Sequence, residues 1–277
     1  MLLPVDDTQL FCEVVGSGSL ILAIHGGPGL DHQYLRPWLD GVGQSARIVY
    51  FDLRGHGRSS GRETLANSTH ATICDDIDAL RRQFTTGPVI LFGHSYGGFL
   101  ALEYALRYPE NVAGLILCST AASAHHAGKA IEQAISRNQP AALASLQRTL
   151  AGPCESDEDL ANTWDEILPL YFHSIDQNRS SSTFKGTIFS ADGHNRGFFH
   201  WLGTYDVRAR LAEIKAPVLI LSGADDWINP PRLAGDELEA GLPRAEHVVF
   251  ENSGHFPFVE EHDRFIAITG DWLERLP

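Results

Sequence analysis

Short β-rich runs alternate with helical stretches along most of the chain, and this alternation constrains the fold more than any other feature. The apolar runs at 19–26 and 47–52 predict buried strands, and 72–84 predicts a helix with one apolar face, early acids and late arginines. Further strands are predicted at 88–93, 112–119, 216–223 and 246–254, followed by a closing helix at 260–276. This order is typical of an α/β protein with a mostly parallel sheet covered by helices.

The alternation is interrupted between residues 121 and 205. This stretch is rich in Ala, Ser, Asn and acids, and it contains no convincing buried strand. Because it separates two groups of strands, we predict an inserted, mainly helical cap at 121–205 over the carboxyl edge of the sheet. Residues 1–120 and 206–277 would then form the α/β core, and a chain of 277 residues is long enough for both.

Charge and hydropathy limit the partners. The net charge of −14 would repel a phosphate backbone, so no nucleic-acid partner is expected. No apolar run reaches the roughly 18–20 residues that span a bilayer, and the N-terminus lacks the pattern of a signal peptide. We therefore expect a cytoplasmic protein with no membrane partner. The sequence does not indicate the oligomeric state.

The segment Gly-His-Ser-Tyr-Gly at 93–97 follows an apolar strand and opens a strongly helical run. A strand that turns at once into a helix forces its corner residue into a strained conformation, and flanking glycines avoid collisions there. The corner hydroxyl, that of Ser95, would then lie exposed at a helix N-terminus, where developing negative charge is stabilised. Ser95 is the predicted nucleophile.

A serine nucleophile needs a base, and the base needs an orienting acid. Asp225 and Asp226 follow the strand predicted at 216–223, and His255 follows the last predicted strand. The order serine, acid, histidine is the one expected for an enzyme with this strand-to-helix corner. Structural roles are the alternatives: Asp226 could cap a helix that Pro230 begins, and His255 could be a turn residue. These considerations do not separate Asp225 from Asp226.

A site for the oxyanion is predicted in Ala-Ile-His-Gly-Gly-Pro-Gly at 23–29, which also suits a tight turn. The predicted donors are the backbone amides of Gly27 and Tyr96. Such a site supplies nucleophile, base and charge stabilisation without a cofactor or a metal. His125 and His126 are not expected to form a metal pair, because adjacent side chains diverge.

Several of these motifs together resemble the α/β-hydrolase fold enzymes over nearly the whole chain. They are His-Gly-Gly-Pro-Gly (25–29), Asp-Leu-Arg-Gly-His-Gly-Arg-Ser (52–59), Gly-His-Ser-Tyr-Gly-Gly (93–98), the spacing Gly223, Asp226, Pro230, and Gly254-His255. The resemblance implies that Asp226 is the acid. Within this superfamily the first and third motifs are most similar to the prolyl aminopeptidases (proline iminopeptidases). Leu53 and His56 are equally typical of esterases and lactonases.

The cap of prolyl aminopeptidases supplies acids for the free amino group of the substrate. The resemblance therefore makes Asp165, Glu166 and Asp192 candidates for binding an amine, although each could simply be solvated. Trp201 and five further aromatic residues could line an acyl pocket or form the cap's own small core. These five are Trp164, Tyr171, Phe172, Phe198 and Phe199.

The leading hypothesis is a serine hydrolase that resembles a proline iminopeptidase and acts by acyl transfer on a small molecule or short peptide. A carboxylesterase or lactonase for small esters is the first alternative. A ligand-sensing receptor on the same fold is the second, and it would differ by very slow turnover and a ligand-dependent protein partner.

Overall fold

The computed structural model describes residues 1–137, 139–174 and 182–276. Its strands form one eight-stranded sheet in the order β1-β2-β4-β3-β5-β6-β7-β8. The strands are β1 (Leu2–Val5), β2 (Thr8–Gly16), β3 (Ser19–Ile24), β4 (Ala46–Phe51), β5 (Val89–His94), β6 (Val112–Cys118), β7 (Val218–Gly223) and β8 (Ala245–Phe250). Strands β3 to β8 are parallel, which confirms the predicted fold class.

The two strands β1 and β2 were not predicted, and they form the antiparallel edge of the sheet. In β2 the buried Thr8, Leu10 and Cys12 alternate with exposed or half-buried residues. Such an edge strand needs no continuous apolar run, so it gives a weaker sequence signal than the central strands. The strand predicted at 246–254 ends earlier, at Phe250, because the polar residues after it form a turn.

Helices cover both faces of the sheet. They are α1 (His70–Phe84), α2 (Tyr96–Arg107), α3 (Ala127–Ser136), α4 (Pro140–Ala151), α5 (Asp157–Ile167), α6 (Ala191–Arg196), α7 (Asp236–Gly241), α8 (Pro257–Glu260) and α9 (His262–Glu274). Helix α1 begins two residues earlier than predicted because the Thr69 hydroxyl accepts a hydrogen bond from the Thr72 amide and caps it. No described helix is both long and apolar enough to cross a membrane.

Both faces of the sheet are buried. On β3, Leu22 and Ile24 belong to one hydrophobic cluster, whereas Ile21 and Ala23 belong to the cluster on the opposite face. Alternate side chains of a strand point to opposite faces, so a strand covered on both sides reads as a continuous apolar run. This is why the central strands are visible in the sequence.

Helices α3 to α6 lie between β6 and β7, in the region predicted as a cap. Within the described part of this region, extended structure is limited to Ser123, which forms an isolated bridge with Asp206 just beyond the region. The predicted cap also includes residue 138 and residues 175–181, which lie outside the described residues. The division into core and cap stays a prediction.

Candidate active site

Ser95 occupies the one-residue corner between β5 and α2. Its backbone lies at φ 53° and ψ −120°, a region that residues with a side chain rarely adopt. The glycines on either side are required by space. A Cβ at Gly93 would lie 2.5 Å from the carbonyl oxygen of Gly97, and one at Gly97 would lie 2.2 Å from that of Ile24.

Hydrogen bonds from the neighbouring strand hold the strained corner. The Ser95 amide donates to the carbonyl of Cys118 over 2.9 Å, and the Thr120 hydroxyl donates to the Ser95 carbonyl over 2.7 Å. The backbone therefore cannot relax without breaking its attachment to the end of β6. This fixes where the Ser95 side chain begins, at the N-terminus of α2.

His255 and Asp226 form a buried pair at the ends of β8 and β7. His255 Nδ1 lies 2.8 Å from Asp226 Oδ2, and the two side chains are 3% and 0% exposed. The other carboxylate oxygen, Oδ1, accepts the amides of Ile228 and Asn229 over 2.9 and 3.1 Å. A carboxylate only accepts hydrogen bonds, so Nδ1 donates its proton and Nε2 keeps the lone pair that a base needs.

The neighbouring carboxylate has a different partner. Asp225 is hydrogen-bonded to His173 Nδ1, and its side chain is about half exposed. The structure thus distinguishes two adjacent carboxylates that residue type and strand position alone leave equivalent: Asp226 contacts His255, and Asp225 contacts His173.

The two predicted oxyanion donors line the same cavity as Ser95 and His255. Gly27 has φ 116°, and a Cβ there would lie 2.8 Å from the Gly29 amide nitrogen, so the turn requires glycine. The Tyr96 amide is the first in α2. The carbonyl that would accept its helical hydrogen bond would have to come from before the helix begins, so the amide has no intrahelical partner. Neither amide meets an acceptor within the described parts of the chain.

A buried series of three hydrogen bonds connects the loop that contains Gly26 and Gly27 with His255. The Gly26 amide donates to the Tyr34 hydroxyl oxygen over 2.6 Å, and this hydroxyl lies 2.7 Å from His94 Nδ1. His94 Nε2 lies 2.9 Å from the carbonyl of His255. A carbonyl only accepts, so Nε2 carries the proton and Nδ1 accepts from Tyr34. Burial holds the pKa of His94 well below its usual range, so the ring stays neutral.

The cavity at this site has a volume of about 180 Å³ and a mostly apolar lining. The apolar side chains include Leu30, Phe99, Ile131, Leu146, Trp164, Tyr171, Phe198, Leu202, Trp227 and Phe256, and the polar ones include Ser123, His126 and Asn229. No Asp, Glu, Lys or Arg of the described ranges lines it.

The structure brings none of the candidate amine-binding carboxylates into this lining. Asp165 is exposed, and Glu166 accepts the Ser145 hydroxyl at the surface. Asp192, which is 62% exposed, is paired with Arg62. Glu166 and Asp192 thus have a hydroxyl and an arginine partner at the surface, and Asp165 is solvated.

The aromatic candidates divide between the cavity and the packing around it. Trp164, Tyr171 and Phe198 line the cavity, whereas Phe172, Phe199 and Trp201 do not. The Trp201 indole donates to the Ser68 carbonyl over 3.0 Å, and its ring stacks on Tyr96 at a centroid distance of 6.4 Å. Trp201 therefore supports the residue after Ser95 from outside the cavity.

Some residues at the site were not singled out from the sequence. Trp227 and Phe256 line the cavity, and their signal was available, since each directly follows a predicted triad residue. Tyr34 lies in no motif, and only the fold brings it to His94. His126, weighed in the sequence only as a metal ligand, also lines the cavity, and its Nε2 lies 2.9 Å from the Ile228 carbonyl oxygen.

The chain is similar to known hydrolases over almost its whole length. A family model described as alpha/beta hydrolase fold matches residues 19–262. Proline iminopeptidase PfmaB from Pestalotiopsis fici is 33% identical over 280 residues, which cover 98% of both chains. A proline iminopeptidase from Lactobacillus delbrueckii subsp. bulgaricus is 28% identical over 290 residues, covering 98% of this chain and 96% of that relative. The enol-lactonase from Burkholderia xenovorans LB400 shares the fold, with a TM-score of 0.77, 21% identity and coverage of 99% and 100%.

The Tyr34 hydroxyl gives a testable prediction. Tyr34→Phe leaves the buried Gly26 amide and His94 Nδ1 without partners, so it should lower the free energy of unfolding by about 1–3 kcal/mol. Tyr96→Phe is the matched control, because the buried Tyr96 hydroxyl has no hydrogen-bond partner among the described residues and its loss should leave stability unchanged or higher. Urea denaturation measures both, and equal losses of stability in the two variants would contradict the described network.

Proposed function

The chain belongs to the α/β-hydrolase family and is a hydrolase, and from this premise we propose that it is a serine hydrolase for small esters or amides with an apolar, uncharged acyl group. The observation that carries the proposal is the cavity. Ser95, His255 and the amides of Gly27 and Tyr96 line it, and the rest of its described lining is mostly apolar and without an acidic side chain.

In the first half of the reaction, Ser95 attacks the carbonyl carbon of the substrate while His255 Nε2 takes the hydroxyl proton. The resulting tetrahedral oxyanion accepts hydrogen bonds from the amides of Gly27 and Tyr96. Asp226 stabilises the imidazolium and keeps its Nδ1 proton in place. When the intermediate collapses, the bond to the leaving group breaks and His255 returns the proton to that group.

In the second half, water replaces the leaving group. His255 takes a proton from the water, whose oxygen attacks the acyl carbon of the Ser95 ester. The same two amides stabilise the second oxyanion. Collapse breaks the bond to the Ser95 oxygen, which regains its proton from His255, and the acid product leaves. The original Ser95 proton departs with the leaving group and a proton from water replaces it, so the cycle consumes only substrate and water.

The apolar lining favours a neutral acyl group over a free amine. A substrate ammonium that enters such a cavity loses its hydration, and this costs several kcal/mol unless a carboxylate replaces the water. The described lining offers hydroxyl, imidazole and amide groups but no carboxylate. Leu30, Leu146 and Phe198 instead offer favourable contacts to a hydrocarbon acyl chain.

Proline iminopeptidase activity is the second candidate, and the two curated relatives described above favour it by their names. For this activity the substrate's free imino group would need a negative partner in the bound state.

We further propose a cytoplasmic location, a small-molecule or short-peptide substrate, and the lack of nucleic-acid and membrane partners. Turnover by the purified protein would argue against the sensing receptor.

The two adjacent carboxylates allow a matched test of the acid. Asp226→Asn should lower kcat with a p-nitrophenyl ester by up to about 10⁴-fold, because an asparagine donor favours the wrong tautomer of His255. Asp225→Asn should stay within about tenfold of the unmodified protein, since Asp225 contacts His173. Both variants remove one charge from the same loop. The reverse ranking would exclude Asp226 as the orienting acid.

Substrate charge tests the specificity. N-acetylproline p-nitroanilide and proline p-nitroanilide share a leaving group and differ in the charge on the acyl side. We expect kcat/KM to be at least about tenfold higher for the acetylated compound, a difference of about 1.4 kcal/mol in the transition state. A preference for the compound with the free secondary amine would replace the proposed specificity by that of a proline iminopeptidase, while leaving the acyl-transfer mechanism intact.

A further inference from the structure

A histidine and two carboxylates meet where α7 packs beside β8. Asp236 and Glu239 lie three residues apart in α7 and therefore on the same face of the helix. His247 lies on β8, and its Nδ1 is 3.7 Å from Asp236 Oδ1 and 3.7 Å from Glu239 Oε2. One donor atom from each residue lies within 4.8 Å of the other two.

The imidazole of this group is buried and held in one orientation. Its side chain is only 4% exposed, and Nε2 lies 3.0 Å from the Ser222 hydroxyl oxygen. Space at the ring is limited, since a Cβ at Gly235 would lie 2.4 Å from His247 Cε1. Nδ1 faces the two carboxylates, each at an ion-pair distance of 3.7 Å.

We propose that Asp236, Glu239 and His247 bind a divalent transition-metal ion of the zinc type. One imidazole nitrogen and two carboxylate oxygens form a donor set that zinc accepts, with a fourth position for water. Donors about 2.0–2.1 Å from a tetrahedral ion lie roughly 3.3 Å apart. The two distances from His247 Nδ1 to the carboxylates, 3.7 Å each, exceed this by a few tenths of an ångström, and the two carboxylate oxygens lie within 4.8 Å of each other.

The solvent-facing ligands can close this difference. The Asp236 and Glu239 side chains are 46% and 51% exposed, so they can rotate toward the fixed imidazole. Ser222 supports metal binding from behind the ring. When Nε2–H donates to its hydroxyl, the lone pair is left on Nδ1, where the carboxylates are.

One further charge faces the cluster. Arg232 Nη1 lies 3.8 Å from Asp236 Oδ2, and its side chain is 91% exposed. An exposed ion pair of this kind contributes little and is easily displaced. It leaves Asp236 Oδ1, the atom nearest to His247, available to an ion.

The site would stabilise the fold rather than take part in hydrolysis. None of its three ligands lines the cavity at Ser95. A bound ion would connect α7 to β8. The chain between β7 and α7 contains Asp226, so the ion would also restrain the element that follows this residue. Removal of the ion should therefore lower thermal stability and leave catalysis possible, in agreement with the prediction that the reaction needs no metal.

Zinc titration of the full chain after EDTA treatment and desalting tests the proposal. Calorimetry with zinc chloride should show one tight equivalent and a raised thermal midpoint. The double variant Asp236→Asn, Glu239→Gln should bind at least about 100-fold more weakly, and Ser222→Ala should bind about 10–100-fold more weakly. Glu237→Gln is the matched control, since it removes a charge from the same helix outside the cluster and should bind as the unmodified protein does.

Cobalt absorption identifies the imidazole. Co²⁺ bound to the unmodified protein should show visible bands that His247→Ala changes or abolishes. If His247→Ala does not fold, the surface double variant still decides the question. Unchanged zinc affinity in the double variant, or no binding at 100-fold molar excess, would overturn the proposal and leave an ion-pair cluster without a metal.

Discussion

The geometry of this site depends on one strained residue, Ser95, which is held at φ 53° between a buried parallel strand and a helix. The turn is possible only because the glycines at 93 and 97 let β3, β5 and α2 approach to distances that a Cβ would block. Strain of this kind persists only where the surrounding structure enforces it. Here two hydrogen bonds to the end of β6 do so. The sheet thereby fixes the serine before any substrate arrives.

The groups around Ser95 are positioned from the same sheet edge, although they come from distant parts of the chain. The pair of His255 and Asp226 follows β8 and β7, and Gly27 follows β3. The hydrogen bonds through Tyr34 and His94 run from the Gly26 amide to the His255 carbonyl, and they thereby connect the loop after β3 with the loop after β8. A neutral His94 suits this role, because a charged ring would donate at both nitrogens and leave the proton of the Tyr34 hydroxyl without this acceptor. Preorganisation of base and oxyanion site thus depends on Tyr34, which does not line the cavity, and on His94, which lies at its wall.

Much of the architecture could be predicted because buried parallel strands are continuous apolar runs and because the corner at Ser95 has strict steric demands. The edge strands β1 and β2 escaped prediction, since their partial exposure gives a mixed pattern. At the site, the glycine spacing and the strand ends indicated where the nucleophile, the acid and the base lie in the sequence. The role of Tyr34 and the surroundings of Asp165, Glu166 and Asp192 depend on tertiary contacts, and an acid on an exposed helix looks the same in sequence as one that faces a cavity. Family resemblance therefore predicted the fold well, while the chemistry of the cavity had to come from the structure.

The proposed mechanism requires that Ser95 form a covalent acyl-enzyme, and reaction with a fluorophosphonate probe examines this claim. Such a probe reacts with a serine that a neighbouring base activates, and the phosphonylated residue can be located by mass spectrometry of the digested protein. The proposed mechanism predicts a single modification at Ser95 and none in Ser95→Ala under the same conditions. Modification that persists in Ser95→Ala, or that lies on another residue of the unmodified protein, would contradict the claim.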